Sequence, residues 1–213
     1  MKIAIRALVL LALSSASGCA KPEAEAQAQA ETQPANRPIV FLHGMCTDPQ
    51  ADIDAWGSTA KEHGTLVTVM GDVDCPDKPG MLKWSSDAPA IDARIEAALK
   101  AKGLASNDMI VIGESMGAAR AELLASKYPD KYTRLVLIGS PQTPSPKNLR
   151  AAKAVANLAG EKEQQATMKQ GTRALAAAGT PTRFWELPDA AHGEYGPEGR
   201  RIMNEALGFV AAR

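Results

Sequence analysis

From Pro38 onward the chain alternates short, uninterrupted apolar runs with longer amphipathic segments. This pattern is typical of parallel strands covered by helices on both faces, because strands buried on both sides have no polar face. The runs at 39–42, 65–70, 109–112 and 135–138 are predicted strands, since each contains Val or Ile. A last strand is predicted at 183–187. Apolar spacing and helix-end signals predict helices at 88–102, 117–127 and 200–210.

The stretch between 148 and 179 is ambiguous. It is so rich in alanine that periodicity alone indicates helix throughout, with a break near Gly160. A weaker alternative places a strand at 154–159. Because the sequence shows no internal repeat and no second domain, we expect one α/β domain whose mostly parallel sheet has about six strands.

Length and charge exclude several classes of protein. A chain of 213 residues with 45% hydrophobic residues can bury one good core but is short for two. Its 24 basic and 24 acidic residues are scattered, so a nucleic-acid partner is not expected. An aromatic content of 4% argues against a base-stacking platform or an aromatic sugar-binding groove.

The first residues read as an export signal. Lys2 and Arg6 precede an apolar stretch at 7–13, and small residues then lead to Cys19. We therefore predict a signal peptide at 1–18. The sequence before Cys19 resembles the lipobox of bacterial lipoproteins, which favours lipid attachment to Cys19 and a membrane tether over simple secretion. The expected location is the bacterial periplasm or outer envelope.

Residues 19–37 are predicted to be a disordered tether, since they are mostly Ala, Gln, Glu and Pro and have almost no bulky apolar side chain to bury. The folded domain is expected at 38–213.

The strongest chemical signal is the motif Gly113-Glu114-Ser115-Met116-Gly117, which follows a predicted strand and precedes a predicted helix. A sharp strand-to-helix turn needs flanking glycines, because a Cβ there would collide with neighbouring backbone. Such a turn would present Ser115 above the edge of the sheet, next to a helix N-terminus that favours developing negative charge. The alternative is a tight turn with an incidental serine.

With Phe41-Leu42-His43-Gly44-Met45 at the end of the first strand, residues 38–213 resemble the α/β-hydrolases, a family of three-layer α/β proteins. The compact chain shows no inserted cap domain. The resemblance implies an oxyanion hole formed by the backbone N–H groups of Met45 and Met116, and a structural role for His43.

The resemblance also implies that His192 is the base, because it follows the last predicted strand and precedes the closing helix. The chain has only three histidines. The other one, His63, is expected at a helix end, where a cation complements the last carbonyl groups.

The third catalytic residue that the resemblance implies is an acid beside the base, and here the sequence departs from the family's commonest pattern. Ala159-Gly160-Glu161-Lys162-Glu163 looks like the segment that usually ends in aspartate, so Glu163 is predicted to take its place. This assignment depends on the weaker strand at 154–159; otherwise the segment is a solvated helix face. Asp189 and Glu194 are the alternatives.

In an exported protein Cys46 and Cys75 are open to oxidation. They follow two strands that the family's fold places side by side, so we expect a disulfide that pins the oxyanion loop. A metal site is a poorer interpretation, because no third ligand recurs at zinc spacing.

The sequence thus predicts an exported serine hydrolase that needs no cofactor and cleaves esters of a small acyl substrate. Residues 77–87, with Met81 and Trp84, and 141–146 are candidate pocket walls or ordinary loops. Amide or thioester cleavage, and a binding module that has lost the triad, stay open. The oligomeric state is not indicated.

Overall fold

Eight strands and five helices account for the regular structure of residues 37–213, the part of the chain that the computed structural model describes. The strands are β1 (Pro38–Leu42), β2 (Thr65–Val69), β3 (Val73–Asp74), β4 (Leu82–Lys83), β5 (Ile110–Glu114), β6 (Arg134–Ile138), β7 (Ala154–Gly160) and β8 (Thr182–Leu187). The helices are α1 (Pro49–Ala60), α2 (Ala88–Ala101), α3 (Met116–Lys127), α4 (Ala166–Ala177) and α5 (Gly199–Ala211).

Six of the strands form one sheet in the order β2-β1-β5-β6-β7-β8, and every neighbouring pair is parallel. The predicted mostly parallel sheet of about six strands is therefore confirmed. The short strands β3 and β4 pair antiparallel with each other and form a separate hairpin, which was not predicted from the sequence. Because the six strands are parallel, their carboxyl ends share one edge, and the loops after them meet there.

Helices cover both faces of the sheet, so the core has two layers. On one face Val40 and Leu42 of β1 pack with the apolar sides of α2, α3 and α4. On the other face Ile39 and Phe41 pack with α1 and α5. These four side chains are at most 1% exposed. The strict alternation explains why β1 is apolar on both sides, as strands between two helical layers must be.

Residues 154–160 form strand β7, so helix throughout 148–179, which alanine content alone favours, is wrong. All seven residues of the strand are buried. It pairs in register with β6 on one side and with β8 on the other. Two flanking strands satisfy its backbone, and the small side chains fit between the helical layers, so tertiary pairing overrides local helix propensity. Helix returns only at α4.

The predicted signal peptide (1–18), the predicted lipidation site Cys19 and the predicted tether up to residue 36 lie outside the described residues. Arg37, the last residue assigned to the tether, is 8% exposed. Its guanidinium pairs with Asp108 at 2.8 Å and donates to the carbonyl of Ala211 at 3.0 Å. Arg37 is thus part of the folded domain. Within residues 37–213 no helix is long and apolar enough to cross a bilayer.

Candidate active site

Ser115 lies at the sharp turn between β5 and α3. Its backbone has φ 50° and ψ −114°, a left-handed conformation that side-chain-bearing residues rarely adopt. Glycines make the turn possible, because a Cβ at Gly113 would lie 2.4 Å from the carbonyl oxygen of Gly117, and one at Gly117 would lie 1.9 Å from that of Leu42. The Ser115 N–H donates to the carbonyl of Ile138 at 2.8 Å, which fixes the turn to β6.

The structure brings Ser115 and His192 together although they are 77 positions apart. Ser115 Oγ lies 3.0 Å from His192 Nε2. His192 sits in the loop between β8 and α5, and half of its side chain is exposed. The hydroxyl thus faces an imidazole nitrogen at hydrogen-bond distance, the arrangement in which a serine transfers its proton to a base.

Glu163, at the turn after β7, contacts the other side of the imidazole, so that Glu163, His192 and Ser115 form a continuous row of side chains. Its Oε2 lies 2.6 Å from His192 Nδ1, and its Oε1 accepts the N–H of Gly160 at 2.6 Å. Because Glu163 accepts from Nδ1–H, the other imidazole nitrogen is left free to accept the proton of Ser115. Both carboxylate oxygens are engaged, so the acid is held in one orientation.

Electrostatics favour an ionised acid beside an easily protonated base. Burial raises the pKa of Glu163, but the hydrogen bonds from His192 and Gly160 outweigh it and hold that pKa below its ordinary value. The hydrogen bond to Glu163 in turn raises the pKa of His192, against the opposing effect of burial. The charge of Glu114 contributes in the same direction. The charges that would stabilise the imidazolium during catalysis are therefore already in place before the reaction starts.

The two alternative acids, Asp189 and Glu194, make other contacts. Asp189 is 70% exposed at its side chain, and its carboxylate lies 3.4 Å from the Lys162 ammonium. Glu194 accepts the backbone N–H of Ala191 at 2.9 Å and so stabilises the loop. Among the described residues, the carboxylate that faces His192 Nδ1 is that of Glu163.

The loop after β1, which carries Met45, is held on both sides of that residue. The indole N–H of Trp84 donates to the carbonyl of His43 at 2.8 Å, and the N–H of Cys46 donates to the carbonyl of Leu82 at 3.0 Å. The end of β1 also touches the serine turn at Gly117. Met116 is the first residue of α3, where backbone N–H groups have no partner within the helix. Both predicted oxyanion donors therefore lie at one edge of the sheet.

The Cys46–Cys75 disulfide is present and spans 29 positions, with the two Cα atoms 5.8 Å apart. Cys75 follows the hairpin strand β3, so the bond joins the loop after β1 to the hairpin. The expected pinning of this loop thus has a covalent component in addition to its hydrogen bonds.

The other two histidines occupy structural positions. His43 is fully buried; its Nδ1 donates to the carbonyl of Gly44 at 2.7 Å, and its Nε2 accepts the N–H of Gly71 at 2.9 Å. Burial lowers the pKa of His43, so it stays neutral. His63 lies three residues after the end of α1, at a helix end as expected, and its Nε2 contacts the amide oxygen of Asn204 on α5 at 2.5 Å.

Glu114 is a residue of the site that sequence reasoning missed. It is the last residue of β5 and only 3% exposed, and its Oε1 lies 3.9 Å from His192 Nε2. The motif treats its position as free, so the pattern search passed over it. The signal in the sequence was a carboxylate at the end of a strand whose other four residues have no charged side chain, because acidic residues are seldom buried without a partner.

Two pockets flank the row of three residues. One of about 280 Å³ is lined by Gly139, Ser140, Pro141, Glu163, Gln164, Thr167 and His192. The other, of about 260 Å³, is lined by Cys46, Thr47, Asp48, Asp52, Lys78, Met81, Glu114 and Gly193. Met81 and Pro141 are thus pocket residues as expected, whereas Trp84 is buried beneath the site. A larger hollow of about 650 Å³ lies between α1 and β2, away from the three residues.

Comparisons with known proteins give structural neighbours. Neither a protein-family model nor a curated protein matches the chain. The esterase PE8 superposes with a TM-score of 0.68 at 18% identity, over 83% of this chain and 93% of its own. A Bacillus cereus carboxylesterase gives 0.62 at 15% identity, over 89% and 100%. FphF, a fluorophosphonate-binding serine hydrolase of Staphylococcus aureus, gives 0.61 at 16% identity, over 85% and 86%. At such identities the likeness establishes the fold alone.

Proposed function

Since the chain has the α/β-hydrolase fold, we propose that it is a serine hydrolase that cleaves carboxylic esters through an acyl-enzyme on Ser115. The observation that carries the proposal is the continuous row from Glu163 through His192 to Ser115, with contacts of 2.6 and 3.0 Å. A binding module without catalytic function would have no need of this row. Export of the chain is a separate proposal, which does not affect the chemistry.

The first step is attack by Ser115 Oγ on the ester carbonyl carbon. As the new bond forms, His192 Nε2 takes the hydroxyl proton, and the carbonyl electron pair moves to the carbonyl oxygen. Glu163 stays ionised and stabilises the resulting imidazolium through Nδ1. The half-exposed side chain of His192 lets substrate reach the serine from solvent.

The oxyanion of the tetrahedral intermediate would accept hydrogen bonds from the backbone N–H groups of Met45 and Met116. Two features support this assignment: the position of Met116 at the start of α3 and the anchoring of the loop around Met45. Donors fixed in advance need no reorganisation as charge develops.

Collapse of the intermediate breaks the ester C–O bond, and the imidazolium of His192 gives its proton to the leaving alkoxide. Water then attacks the acyl-enzyme while His192 accepts a proton from it. The second intermediate collapses, Ser115 Oγ recovers the proton, and the carboxylic acid leaves. Each half of the cycle involves two proton transfers, one to His192 and one from it, and after the second half the site has returned to its starting state.

Esters are favoured because their alkoxide leaving groups depart more easily than amines, and because the site is open. The connection between β6 and β7, residues 139–153, contains no inserted cap among the described residues. Pockets of about 280 and 260 Å³ flank the catalytic row and fit acyl and alcohol groups of modest size.

A matched panel of acyl compounds tests this proposal. An ester, a thioester and an anilide that share one short acyl group are offered to the native protein and to Ser115→Ala. We expect the ester to have the highest kcat/KM and the variant to lose at least about 1000-fold. Equal turnover by the Ser115→Ala variant would contradict the proposal, and preference for the anilide would change the substrate class.

We further propose that the protein is exported and tethered through a lipid on Cys19. The disulfide supports export, since such bonds persist in oxidising compartments. Growth of a bacterial expression host with labelled palmitate, followed by fractionation, is expected to label the native chain and not Cys19→Ala. Unlabelled native protein recovered free of membranes would contradict the tether.

A further inference from the structure

The carboxylate of Glu114 lies beside the reacting nitrogen of the base. Its side chain is 4% exposed, and its Oε1 is 3.9 Å from His192 Nε2, the nitrogen that also faces Ser115 Oγ. His192 therefore has carboxylates on two sides, one at Nδ1 and one near Nε2. Glu163 holds the first position, and nothing in the proposed mechanism uses the second.

Glu114 also touches the oxyanion loop. A Cβ at Gly44 would lie 2.1 Å from Glu114 Oε2, so the carboxylate rests directly against the backbone of that residue. The N–H of Gly44 stabilises the ionised form of the carboxylate. Because Gly44 directly precedes Met45, one carboxylate contacts both the base and the loop that would supply an oxyanion donor.

Each element that packs against Glu114 contributes charged or titratable groups. Asp52 of α1 is 8% exposed and accepts the hydroxyl of Tyr195 at 2.8 Å, while Asp48 and Lys78 line the same pocket. The catalytic carboxylate and imidazole face Glu114 from the loops after β7 and β8. Burial, and next the charge of Asp52, raise the pKa of Glu114 to about 7.

Resting on the proposed function, we propose that Glu114 is a positioning residue whose carboxylate, between His192 Nε2 and Gly44, sets how readily the base accepts a proton. When Glu114 is ionised, its negative charge stabilises the imidazolium; when it is protonated, that stabilisation is lost. The two groups therefore titrate as a coupled pair, and the pH dependence of the enzyme belongs to the pair rather than to His192 alone.

The sign of the effect can be tested with two substitutions that keep shape. Glu114→Gln removes the charge but keeps an oxygen that accepts from Gly44, so the His192 midpoint should fall by about half a pH unit or more. Asp52→Asn keeps an acceptor for Tyr195 but removes a charge that raises the pKa of Glu114. Glu114 then ionises at lower pH, and the His192 midpoint should rise.

The readout is the titration of the His192 imidazole by NMR, assigned by its loss in His192→Ala, in the native chain, each single variant and the double variant. The same proteins are tested for the pH dependence of their labelling rate with a fluorophosphonate. The proposal expects opposite shifts in the two single variants. It also expects Asp52→Asn to have no effect once Glu114 is Gln, because its influence passes through that carboxylate.

A Glu114→Gln midpoint within about 0.2 units of native would overturn the proposal, since a charge this close must be felt. An Asp52→Asn shift that persists unchanged in the double variant would overturn it as well. If the Glu114→Gln variant does not fold, the direction of the Asp52→Asn shift decides. A native chain that is not labelled refutes the serine-hydrolase assignment, whereas the NMR titration still decides the role of Glu114.

Discussion

Replacement of Glu163 by Gln tests the assignment of the acid most sharply, because the structure dictates what the amide would do. In the native protein Oε1 accepts the N–H of Gly160 and Oε2 accepts from His192 Nδ1. In Glu163→Gln the amide oxygen must stay at Gly160, since an NH2 group cannot accept that donor. The NH2 group then faces Nδ1 and donates to it, which forces the proton of the neutral imidazole onto Nε2.

An imidazole protonated at Nε2 cannot take the proton of Ser115. The variant should therefore lose kcat/KM by about 100- to 10,000-fold, through the wrong tautomer and the lost charge. Substrate binding involves neither effect, so we expect KM to change by less than about threefold. The assay is steady-state hydrolysis of a short chromogenic ester, with circular dichroism as the check on folding.

Matched controls come from the two alternative acids. Asp189→Asn and Glu194→Gln remove exposed carboxylates that do not face the imidazole, so each should keep kcat/KM within about threefold of native. Loss of activity in either control together with an active Glu163→Gln variant would refute the assignment of the acid.

Three further outcomes are expected. Reduction of the Cys46–Cys75 bond, or its replacement by serines, should lower the free energy of unfolding in urea by about 3 kcal/mol, and an unchanged value would contradict a constraining role. Gly117→Ala places a Cβ 1.9 Å from a carbonyl oxygen of β1 and should destabilise by about 2 kcal/mol or more, whereas Gly57→Ala, with nothing within 4 Å, should stabilise by about 0.5 to 1 kcal/mol. Because the hydrogen bond to Glu163 raises the pKa of His192 and the charge of Glu114 acts in the same direction, kcat/KM should fall with decreasing pH at a midpoint above 6.5. That midpoint belongs to the coupled His192–Glu114 pair, and a midpoint below 6.5 would contradict the geometry.

The serine turn was predictable because the motif itself is local. An apolar strand and a helix flank it in the sequence, and Gly113 is required by a close approach to the backbone of Gly117. The approach of Gly117 to Leu42 of β1 is long-range and becomes visible only in the structure. The location of His192 followed from chain order in the family that the sequence resembles. Short-range rules and a known order of elements were sufficient for these two residues.

Glu163 was harder to predict than Ser115 and His192, because its assignment as the acid depends on strand β7. Alanine favours helix locally, and only the pairing of residues 154–160 with β6 and β8 makes them a strand. That pairing is long-range and leaves no periodic trace in a segment buried on both faces. The hairpin of β3 and β4 was not predicted because two residues in each strand are too few to show the alternation that identifies a strand.

Glu114 was missed for a different reason. A motif that leaves a position free carries no information about the residue found there, although burial makes a carboxylate at that position costly unless it interacts with its surroundings. Its neighbours are Gly44, 70 positions earlier in the chain, and His192, 78 positions later. Neither contact can be predicted from the local sequence pattern, because each depends on the sheet, which brings the ends of its strands together at one edge.

Mass spectrometry of the protein after reaction with a fluorophosphonate tests most directly whether Ser115 is the nucleophile. We expect one adduct per chain, located on the peptide that contains Ser115. We also expect no adduct in Ser115→Ala and labelling slowed by about 100-fold or more in His192→Ala, which lacks the proposed base. Native protein that stays unmodified, or that carries its adduct on another residue, would contradict the central claim.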